Sequence, residues 1–491
     1  MAERVASFLH RATAWSTYRF VVKRFVGLTL WLAVTARAET VKHTLPELIQ
    51  LGRARARQVN LAQAELHVRE AHRRTALLQW LPSGELTYGL SPAPRVRCAV
   101  PPGEQATLDG LPEEQKQAFR QNNCINTVDP GGNNINLIGL GSIASVGMRL
   151  NVSLTQPIYT FGKIENAAAA AGHAVAAGQA QVETARQDVD ILVTRAFWGI
   201  KAARASLAAV ESGRDELHPW IAKIEKDLDE PKPQFNLNDL ERLKVALAQL
   251  DLVVSDLQRN EQTAIAGLRI LCGDEVEVDE SELDLLELVD RSLGYYEEAA
   301  LLHRPEARTL DEGLKAYRSI AGWRRADLLP DLALVGSFAW GYAPTIEDSN
   351  NAYMTRANLL GGGLYLAFRQ PLDLGQRLAR LGHARADAEM FAAQRELALV
   401  GFRWEIDQVY NDLTEARKRT EATERGQKLA RGWFTAVQQN IDLGIGEPRD
   451  LIEAGRAYFD LRLRYYQAIM DVNVNIGRLR RASGVEVAGS P

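Results

Sequence analysis

The 491-residue sequence is short of the features that mark several common classes of protein. Its 58 Lys and Arg residues are balanced by 62 Asp and Glu residues, so the basic excess typical of a nucleic-acid-binding protein is missing. Its three cysteines and eight histidines show no spacing typical of a structural metal site. It contains no phosphate-binding loop, no nucleophile elbow and no HExxH motif. The sequence therefore gives no support for an enzyme, a metal or cofactor site, or a nucleic-acid partner.

Long apolar runs are also scarce. Residues 1–38 carry Lys23 and Arg24, and then the apolar run Phe25–Val34. Ala36-Arg37-Ala38 follows, which is the order of a cleavable secretory signal. The alternative is an uncleaved anchor. No other stretch reaches the roughly 18 apolar residues of a membrane-spanning helix, so a mature chain in a membrane would have to cross it with strands.

One stretch occurs twice, and the rest of the chain is arranged around it. The first copy is Met148–Pro157 followed by Phe161-Gly162, and the second is Leu364–Pro371 followed by Leu374-Gly375. In each copy a strand of alternating apolar and polar residues ends in Gln-Pro and a glycine turn, and a long helix follows. Because proline cannot continue a ladder, Pro157 and Pro371 are predicted to end the strands.

The alternation predicts two faces for these strands. The apolar face is expected to carry Met148, Leu150, Val152, Leu154, Leu360, Leu364, Leu366 and Phe368. The polar face is expected to carry Arg149, Asn151, Ser153, Thr155, Tyr365 and Arg369. Upstream strands at 86–90 and 332–342 have the same pattern, which makes four strands in two hairpins. The pattern fits strands of a membrane barrel and also the hairpins of an ordinary sandwich.

The rest of the chain is predicted to be largely helical. Helices are expected over residues 45–80, 163–229, 305–327, 376–442 and 450–480, and over a segment capped by Asn238-Asp239 that ends near Leu271. Pro219 predicts a kink or a break in the helix around it. The acidic segment 274–292 is expected to be a solvated connector, followed by a short helix.

The loop at residues 91–145 is unusually long, rich in Pro, Gly and Asn, and contains Cys98 and Cys124. A loop of this length is typically functional or exposed. In an exported protein its two cysteines are expected to form a disulfide, the alternative being two free thiols. Cys272 stands alone near a helix end and is expected to be buried rather than reactive.

The order of elements predicts a tandem duplication. Residues 39–290 give a helix, a hairpin with loop 91–145, a long helix, a tip at 229–238, a return helix and the acidic connector. Residues 291–491 give a helix, a hairpin, a long helix, a tip at 443–450 and a return helix. Four strands are too few to close a barrel, which needs about eight. Either several chains pool their strands, or the strands lie in water.

This order of elements, the two Gln-Pro…Gly junctions and the tip Leu443-Gly-Ile-Gly-Glu-Pro-Arg-Asp450-Leu-Ile-Glu453 resemble the TolC-type outer membrane efflux and secretion channels. The resemblance covers nearly all of the mature chain. It implies an α+β membrane protein that forms a homotrimer in the bacterial outer membrane. Three chains would make a twelve-stranded β-barrel, continued in the periplasm by a hollow α-barrel of long antiparallel helices. The channel would be passive, taking substrate from an inner-membrane transporter through a periplasmic adaptor protein.

The resemblance also implies roles for individual residues. Arg149, Asn151 and Arg369 would line the lumen of the barrel, while the apolar face of the strands meets outer membrane lipid. The tips would contact the adaptor, and the residues expected there are Pro231, Pro233, Gly444, Gly446 and Pro448. The first tip departs from the family pattern, because Pro231-Lys-Pro233 is stiffer than the usual glycine-containing tip.

Asp450 and Glu453 stand three residues apart at the start of a helix. Carboxylates are favoured there by the helix dipole, so simple capping accounts for both. In TolC-like channels two acidic residues at this place in the tip form the periplasmic constriction, and Asp450 and Glu453 match them, with Glu in place of the second Asp. In a trimer the clustered carboxylates would select cations and could bind a polyvalent cation. The competing hypothesis is a periplasmic helical scaffold protein, not a channel, with soluble β-hairpins.

Overall fold

The structure is a computed structural model that describes residues 41–128, 135–136, 142–231, 235–289, 291–348, 357–443 and 445–487. The signal sequence predicted over 1–38 lies outside these residues. The helices are α1 (Leu45–Arg55), α2 (Arg57–Leu78), α3 (Gln105–Asp109), α4 (Glu113–Asn123), α5 (Lys163–Leu228), α6 (Leu237–Cys272), α7 (Leu293–His303), α8 (Pro305–Ala326), α9 (Leu374–Asp442) and α10 (Pro448–Ser483). The strands are β1 (Val41–His43), β2 (Ser83–Ala93), β3 (Val96–Ala99), β4 (Ile125–Val128), β5 (Ile135–Asn136), β6 (Ser142–Ile143), β7 (Ser145–Tyr159), β8 (Val276–Val278), β9 (Asp331–Tyr342) and β10 (Leu359–Arg369).

The chain folds into two compact units. Among the described residues, the helical unit is drawn from the ranges 41–63, 182–307 and 400–487, and the sheet unit from the ranges 64–181 and 308–399. Each unit therefore draws on both halves of the chain. The two predicted repeats, 39–290 and 291–491, do not coincide with these units and stay a prediction about the ancestry of the sequence.

The helical unit is held together by buried clusters along its helices. The cluster near the carboxyl ends of α5 and α9 includes Ile224, Leu243, Ile441 and Leu451, all at most 2% exposed. Each such side chain contributes about 1.5–3 kcal/mol by leaving water.

Pro219 lies beside this cluster, yet α5 continues through it to Leu228. Of the predicted kink or break, the break is therefore wrong, because packing of the neighbouring turns offsets the lost helical hydrogen bond.

A small parallel sheet in the helical unit corrects the prediction for residues 274–292. β1 pairs with β8, with Val41 opposite Val276 and His43 opposite Val278. Val276 and Val278 are 3% and 2% exposed, while Glu277 between them points the other way. The beginning of the acidic segment is thus a half-buried strand rather than a solvated connector.

Two helix boundaries also differ from the sequence-based predictions. The helix expected over 45–80 is two helices, separated at Ala56, which has an extended backbone with ψ of 126°. The cap of α6 is Asn236 and not Asn238: the Asn236 side chain accepts from the Asp239 amide, and the Asp239 carboxylate accepts from the Asn236 amide. This reciprocal pair satisfies two amides that the helix itself leaves free.

The sheet unit is built on a four-stranded antiparallel sheet in the order β10-β9-β7-β2. The two predicted strand pairs are present, and a ladder between β7 and β9 joins them into one sheet. Pro371 follows the end of β10, as predicted. Pro157, however, lies inside β7, and the register shifts between Pro157 and Tyr159, so this proline distorts the end of the strand instead of stopping it.

The predicted loop at 91–145 is largely structured where the structure describes it. It holds the end of β2, the antiparallel pair β3–β4, and helices α3 and α4. In the part of the chain that the structure describes, none of the helices is both long enough and apolar enough to span a membrane.

Candidate functional site

The first face of the four-stranded sheet is apolar. Residues directly opposite one another on neighbouring strands share a face, so the register assigns each side chain to one of the two faces. One row across the sheet is Tyr88, Leu150, Trp340 and Leu360, and the next row holds Leu86, Val152 and Phe338. Several of these side chains are open to the surroundings, with Leu86 67% and Leu360 76% exposed. Leu366 and Phe368 continue the same face on β10 and are 60% and 68% exposed.

The second face of the sheet is polar or small except at Val335 and Leu359. Asn151 lies in a row with Thr87, Ala339 and Gly361, and Arg149 lies opposite Gly89 and Gly341. Arg369 is paired with Asp331 at the other end of β10. The structure therefore brings the three predicted lumen residues, Arg149, Asn151 and Arg369, to one face. It also confirms the alternation predicted from the sequence.

The two edges of the sheet are open in the described residues. β2 and β10 each pair with one neighbour only, so one side of each strand presents free backbone donors and acceptors. These edges are long, at 11 residues each.

The repeated Gln-Pro motif has the same contact in both copies. The Gln156 side chain donates to the Trp80 carbonyl at 2.7 Å, and the Gln370 side chain donates to the Leu328 carbonyl at 3.2 Å. Trp80 and Leu328 each lie just before the partner strand begins. Each glutamine thus ties the end of one strand to the start of the strand beside it, which explains why the residue precedes both prolines.

The second tip lies between α9 and α10. Glu447 is the N-cap residue of α10, without a side-chain capping bond, and the Asp450 amide donates to its carbonyl at 3.1 Å. Asp450 and Glu453 are both exposed on the first turns of α10. Arg449 donates from Nε to Glu453 Oε1 at 3.1 Å. The tip therefore carries a cation beside its carboxylates, a partner that the sequence analysis missed although the i, i+4 spacing signals it.

The other predicted tip residues are only partly within the described chain. A Cβ on Gly446 would lie 2.8 Å from the Ile441 amide nitrogen, so only glycine fits there. Pro231 is exposed in the bend that follows α5, and Pro448 is the first residue of α10. Pro233 and Gly444 lie outside the described residues.

Cys98 and Cys124 are joined by a disulfide, with their Cα atoms 5.2 Å apart. Cys272 is fully buried, as expected, and its thiol lies 3.4 Å from the Leu48 carbonyl. Burial raises the pKa of the Cys272 thiol to about 11, which keeps it protonated and unreactive.

A buried ionic network in the helical unit was not foreseen either. Arg304, with only 4% of its side chain exposed, contacts Glu306 and Glu405 at 3.1 and 2.6 Å. Arg481 contacts the same two glutamates and Asp188. Burial opposes the charged form of Arg481, but these carboxylates outweigh it and raise the pKa of its guanidinium. The network joins α5, α8, α9 and α10, which come together only in the folded chain.

Comparison with known proteins gives matches to one group of proteins. Residues 298–485 match the family model described as Outer membrane efflux protein. No protein with a curated description matches the chain. Among solved structures, the chain is similar to CusC, whose structure concerns transmembrane channel formation, with 15% identity, a TM-score of 0.72 and coverage of 91% of this chain and 94% of that one.

Two further structures support the same fold. The CmeC outer membrane channel of Campylobacter jejuni is 14% identical with a TM-score of 0.69, covering 91% of this chain and 87% of that one. The outer membrane protein VceC of Vibrio cholerae is 17% identical with a TM-score of 0.69, covering 90% and 96%. The fold is therefore that of the outer membrane channels.

The chain therefore has the fold of the outer membrane channels, and its residues 298–485 match the outer membrane efflux protein family, in agreement with the resemblance to the TolC-type channels. The matching family and both of these structures are described as outer membrane proteins.

Proposed function

We propose that three copies of this chain form one channel that conducts substrate passively out of the cell. It would be the outer component of a tripartite efflux pump or a type I secretion system. The observation that carries this proposal is the four-stranded sheet, which has two open edges and one exposed apolar face. Neither feature suits a single copy on its own.

The open edges argue for pooled strands. In lipid, each unpaired backbone group costs several kcal/mol, so a sheet is tolerated there only as a closed barrel. If β10 of one copy pairs with β2 of the next, three copies supply three times four strands and leave no edge. A barrel of about eight strands is just wide enough for side chains to fill its interior. The larger barrel made by three copies is wider than that and encloses water.

The two faces of the sheet suit that closure. Leu86, Leu360, Leu366 and Phe368 would face lipid, where their exposed apolar surface is stable. Arg149, Asn151 and Arg369 would line the water-filled lumen. In a soluble scaffold the same apolar face would stand in water as an unusually large patch.

The tip supports a constriction at the periplasmic end. Asp450 and Glu453 of three copies would bring together six carboxylates, partly neutralised by three copies of Arg449. Like charges at close range repel each other, and they attract cations. The tips 229–238 and 443–450 would receive the adaptor protein, which connects the channel to an inner-membrane transporter.

Chemical cross-linking between the sheet edges tests the trimer. Thr87 on β2 and Gly361 on β10 lie in one row at opposite edges, about 14 Å apart across three strand spacings. The variant Thr87→Cys/Gly361→Cys, treated in membranes with a bis-maleimide shorter than that span, should give covalent dimers and trimers. Thr87→Cys alone serves as the control and should give no trimer.

Two further measurements separate channel from scaffold. Purified protein should run as an SDS-resistant trimer before heating and should conduct ions in planar bilayers. A monomer recovered from the soluble periplasmic fraction, with no cross-linked species, would establish the scaffold instead.

A further inference from the structure

The part of the chain between β2 and β7 contains a small folded body. β3 and β4 pair from Val96 opposite Val128 to Ala99 opposite Ile125, and helices α3 and α4 lie between them in sequence. The disulfide joins Cys98 on β3 to Cys124, the residue between the end of α4 and the start of β4. Leu108 on α3 is 1% exposed. We call residues 96–128 the stapled insert.

The stapled insert pairs with the segment that follows β9. The Val96 amide donates to the Thr345 carbonyl at 2.9 Å, and the Glu347 amide donates to the Val96 carbonyl at 3.0 Å. Val96 and Ile346 thus form a parallel bridge. The Cys98 amide adds a bond to the Glu347 carboxylate at 3.3 Å. Residues 345–347, the docking segment, therefore act as a further strand beside β3.

The docking segment is also bound to the ends of the long strands. The hydroxyls of Thr345 and Ser145, the first residue of β7, are 2.5 Å apart. Thr345 is 3.0 Å from the Pro94 carbonyl, just beyond β2. The Asn358 side chain, just before β10, donates to the Ile346 carbonyl at 2.8 Å. Connections from all four strands of the sheet meet at this segment.

We propose that the stapled insert and the docking segment form a latch that holds the outer mouth of the channel in one shape. This rests on the proposed function, because the end of the sheet away from α5 and α9 is the external end only in that channel. One connection runs from β2 to β7 and the other from β9 to β10, and both leave the sheet where β7 and β9 lie side by side. The latch joins these two connections by backbone hydrogen bonds. Neither connection can then move without breaking the bonds to the other.

The disulfide makes the latch resistant to opening. It closes a chain segment of 26 residues, which removes conformations that the opened insert would otherwise gain. The latch is therefore expected to stay closed while the periplasmic tips open. The outer mouth would contribute a fixed resistance to the channel and would not act as a second gate.

Hydrogen exchange on the purified full-length trimer tests whether the latch exists. The amides of Val96 and Glu347 should be protected in the wild type. In Cys98→Ser/Cys124→Ser they should exchange about a hundredfold faster, from the loop-closure effect of the disulfide. Glu347→Ala keeps the disulfide but removes the Cys98 contact, and it should raise the same rates by a smaller factor. Glu113→Ala, which removes a contact to Lys116 within α4, is the control.

Planar bilayer recordings test what the latch does. Both latch variants should show larger current fluctuations in the open channel than the wild type and Glu113→Ala. Val96 and Glu347 amides that exchange freely in the wild type would overturn the latch. So would latch variants with fast exchange but current traces like those of the wild type. A wild-type trimer without conductance would instead contradict the proposed function.

Discussion

Arg304 lies with Nη2 2.6 Å from Glu405 Oε2, and its side chain is almost entirely buried. Its guanidinium also stacks over the Phe402 ring at 4.1 Å. The pair joins the connection between α7 and α8 to the long helix α9. A buried ion pair of this kind is costly to break from one side, because the remaining charge is left without its partner.

Removing that cation should therefore destabilise the helical unit strongly. Arg304→Ala leaves Glu306 and Glu405 with Arg481 as their remaining cation among the described residues, and we expect a loss of about 3–5 kcal/mol in the free energy of unfolding. Arg464→Ala removes an exposed i, i+4 pair with Asp460 and should cost under about 0.5 kcal/mol. Chemical denaturation followed by circular dichroism measures both. Equal effects of the two variants would show that the network is worth no more than a surface pair.

The two faces of β10 should respond oppositely to a charge. Leu366 and Tyr365 are adjacent and similarly exposed, at 60% and 55%, but lie on opposite faces. Leu366→Arg places a charge against lipid, at a cost of about 2–4 kcal/mol near the middle of the bilayer, and should reduce insertion into the outer membrane. Tyr365→Arg places it in the lumen and should insert normally with altered conductance. Membrane fractionation and the yield of SDS-resistant trimer measure the insertion of both variants. Normal assembly of Leu366→Arg would show that our assignment of the faces is reversed.

The tip carboxylates should control the passage of cations. Asp450→Ala/Glu453→Ala should raise single-channel conductance and weaken block by hexamminecobalt(III), because the negative constriction is lost. Arg449→Ala should strengthen that block, because it removes the positive partner of Glu453. Asp460→Ala, on the same helix and 60% exposed, is the matched control for charge. Conductance and block that stay at wild-type values in the double variant would limit these residues to helix capping.

Two glycines on α5 should tolerate alanine differently. A Cβ on Gly213 would lie 2.6 Å from the buried Phe459 ring, whereas a Cβ on Gly199 has its nearest neighbour, Ala264, at 4.0 Å. Gly213→Ala is expected to cost about 1–3 kcal/mol through overpacking. Gly199→Ala is expected to gain about 0.5–1 kcal/mol from helix propensity. Thermal unfolding of the purified protein distinguishes them, and equal midpoints would mean that α5 and α10 pack less closely at Gly213.

Asp471 predicts a pH dependence of stability. Burial raises the pKa of its carboxyl, although Arg419, at 2.6 Å, acts in the opposite direction. A carboxyl with a raised folded pKa contributes stability below its unfolded pKa of about 3.9, and this contribution is lost as pH rises through the folded pKa. The stability of Asp471→Asn relative to the wild type should therefore be higher at pH 7 than at pH 4.

Melting temperatures of Asp471→Asn and wild type at both pH values measure this difference. Asp460→Asn, with an exposed side chain, is the control. A stability difference between wild type and Asp471→Asn that does not change with pH would mean that Arg419 cancels the effect of burial.

Much of the fold could be predicted because its signals are local. The ends of α5, α8 and α9 fall within two residues of the predicted positions, since Gly, Pro and a change in hydrophobic period mark them. The faces of β7 and β10 also follow from alternation, because a two-residue period fixes the direction of every side chain.

The features that could not be predicted depend on partners far apart in the sequence. β1 and β8 are three-residue strands whose pairing joins Val41 to Val276, and three residues are too few to show a period. Arg304 and Glu405 meet only after α9 has packed in place. The ladder between β7 and β9 is likewise a contact between the two halves of the chain, about which the alternation of either strand says nothing.

The state of Cys272 has a practical consequence. Cys98 and Cys124 are bonded to each other, and the remaining thiol is enclosed beside α1 with its proton held tightly. The unmodified chain should thus be almost silent to maleimides and to spin-label reagents. Fluorescent or paramagnetic probes could be attached at single introduced cysteines without first removing a native one, so the movement of the tips can be followed in the otherwise natural protein.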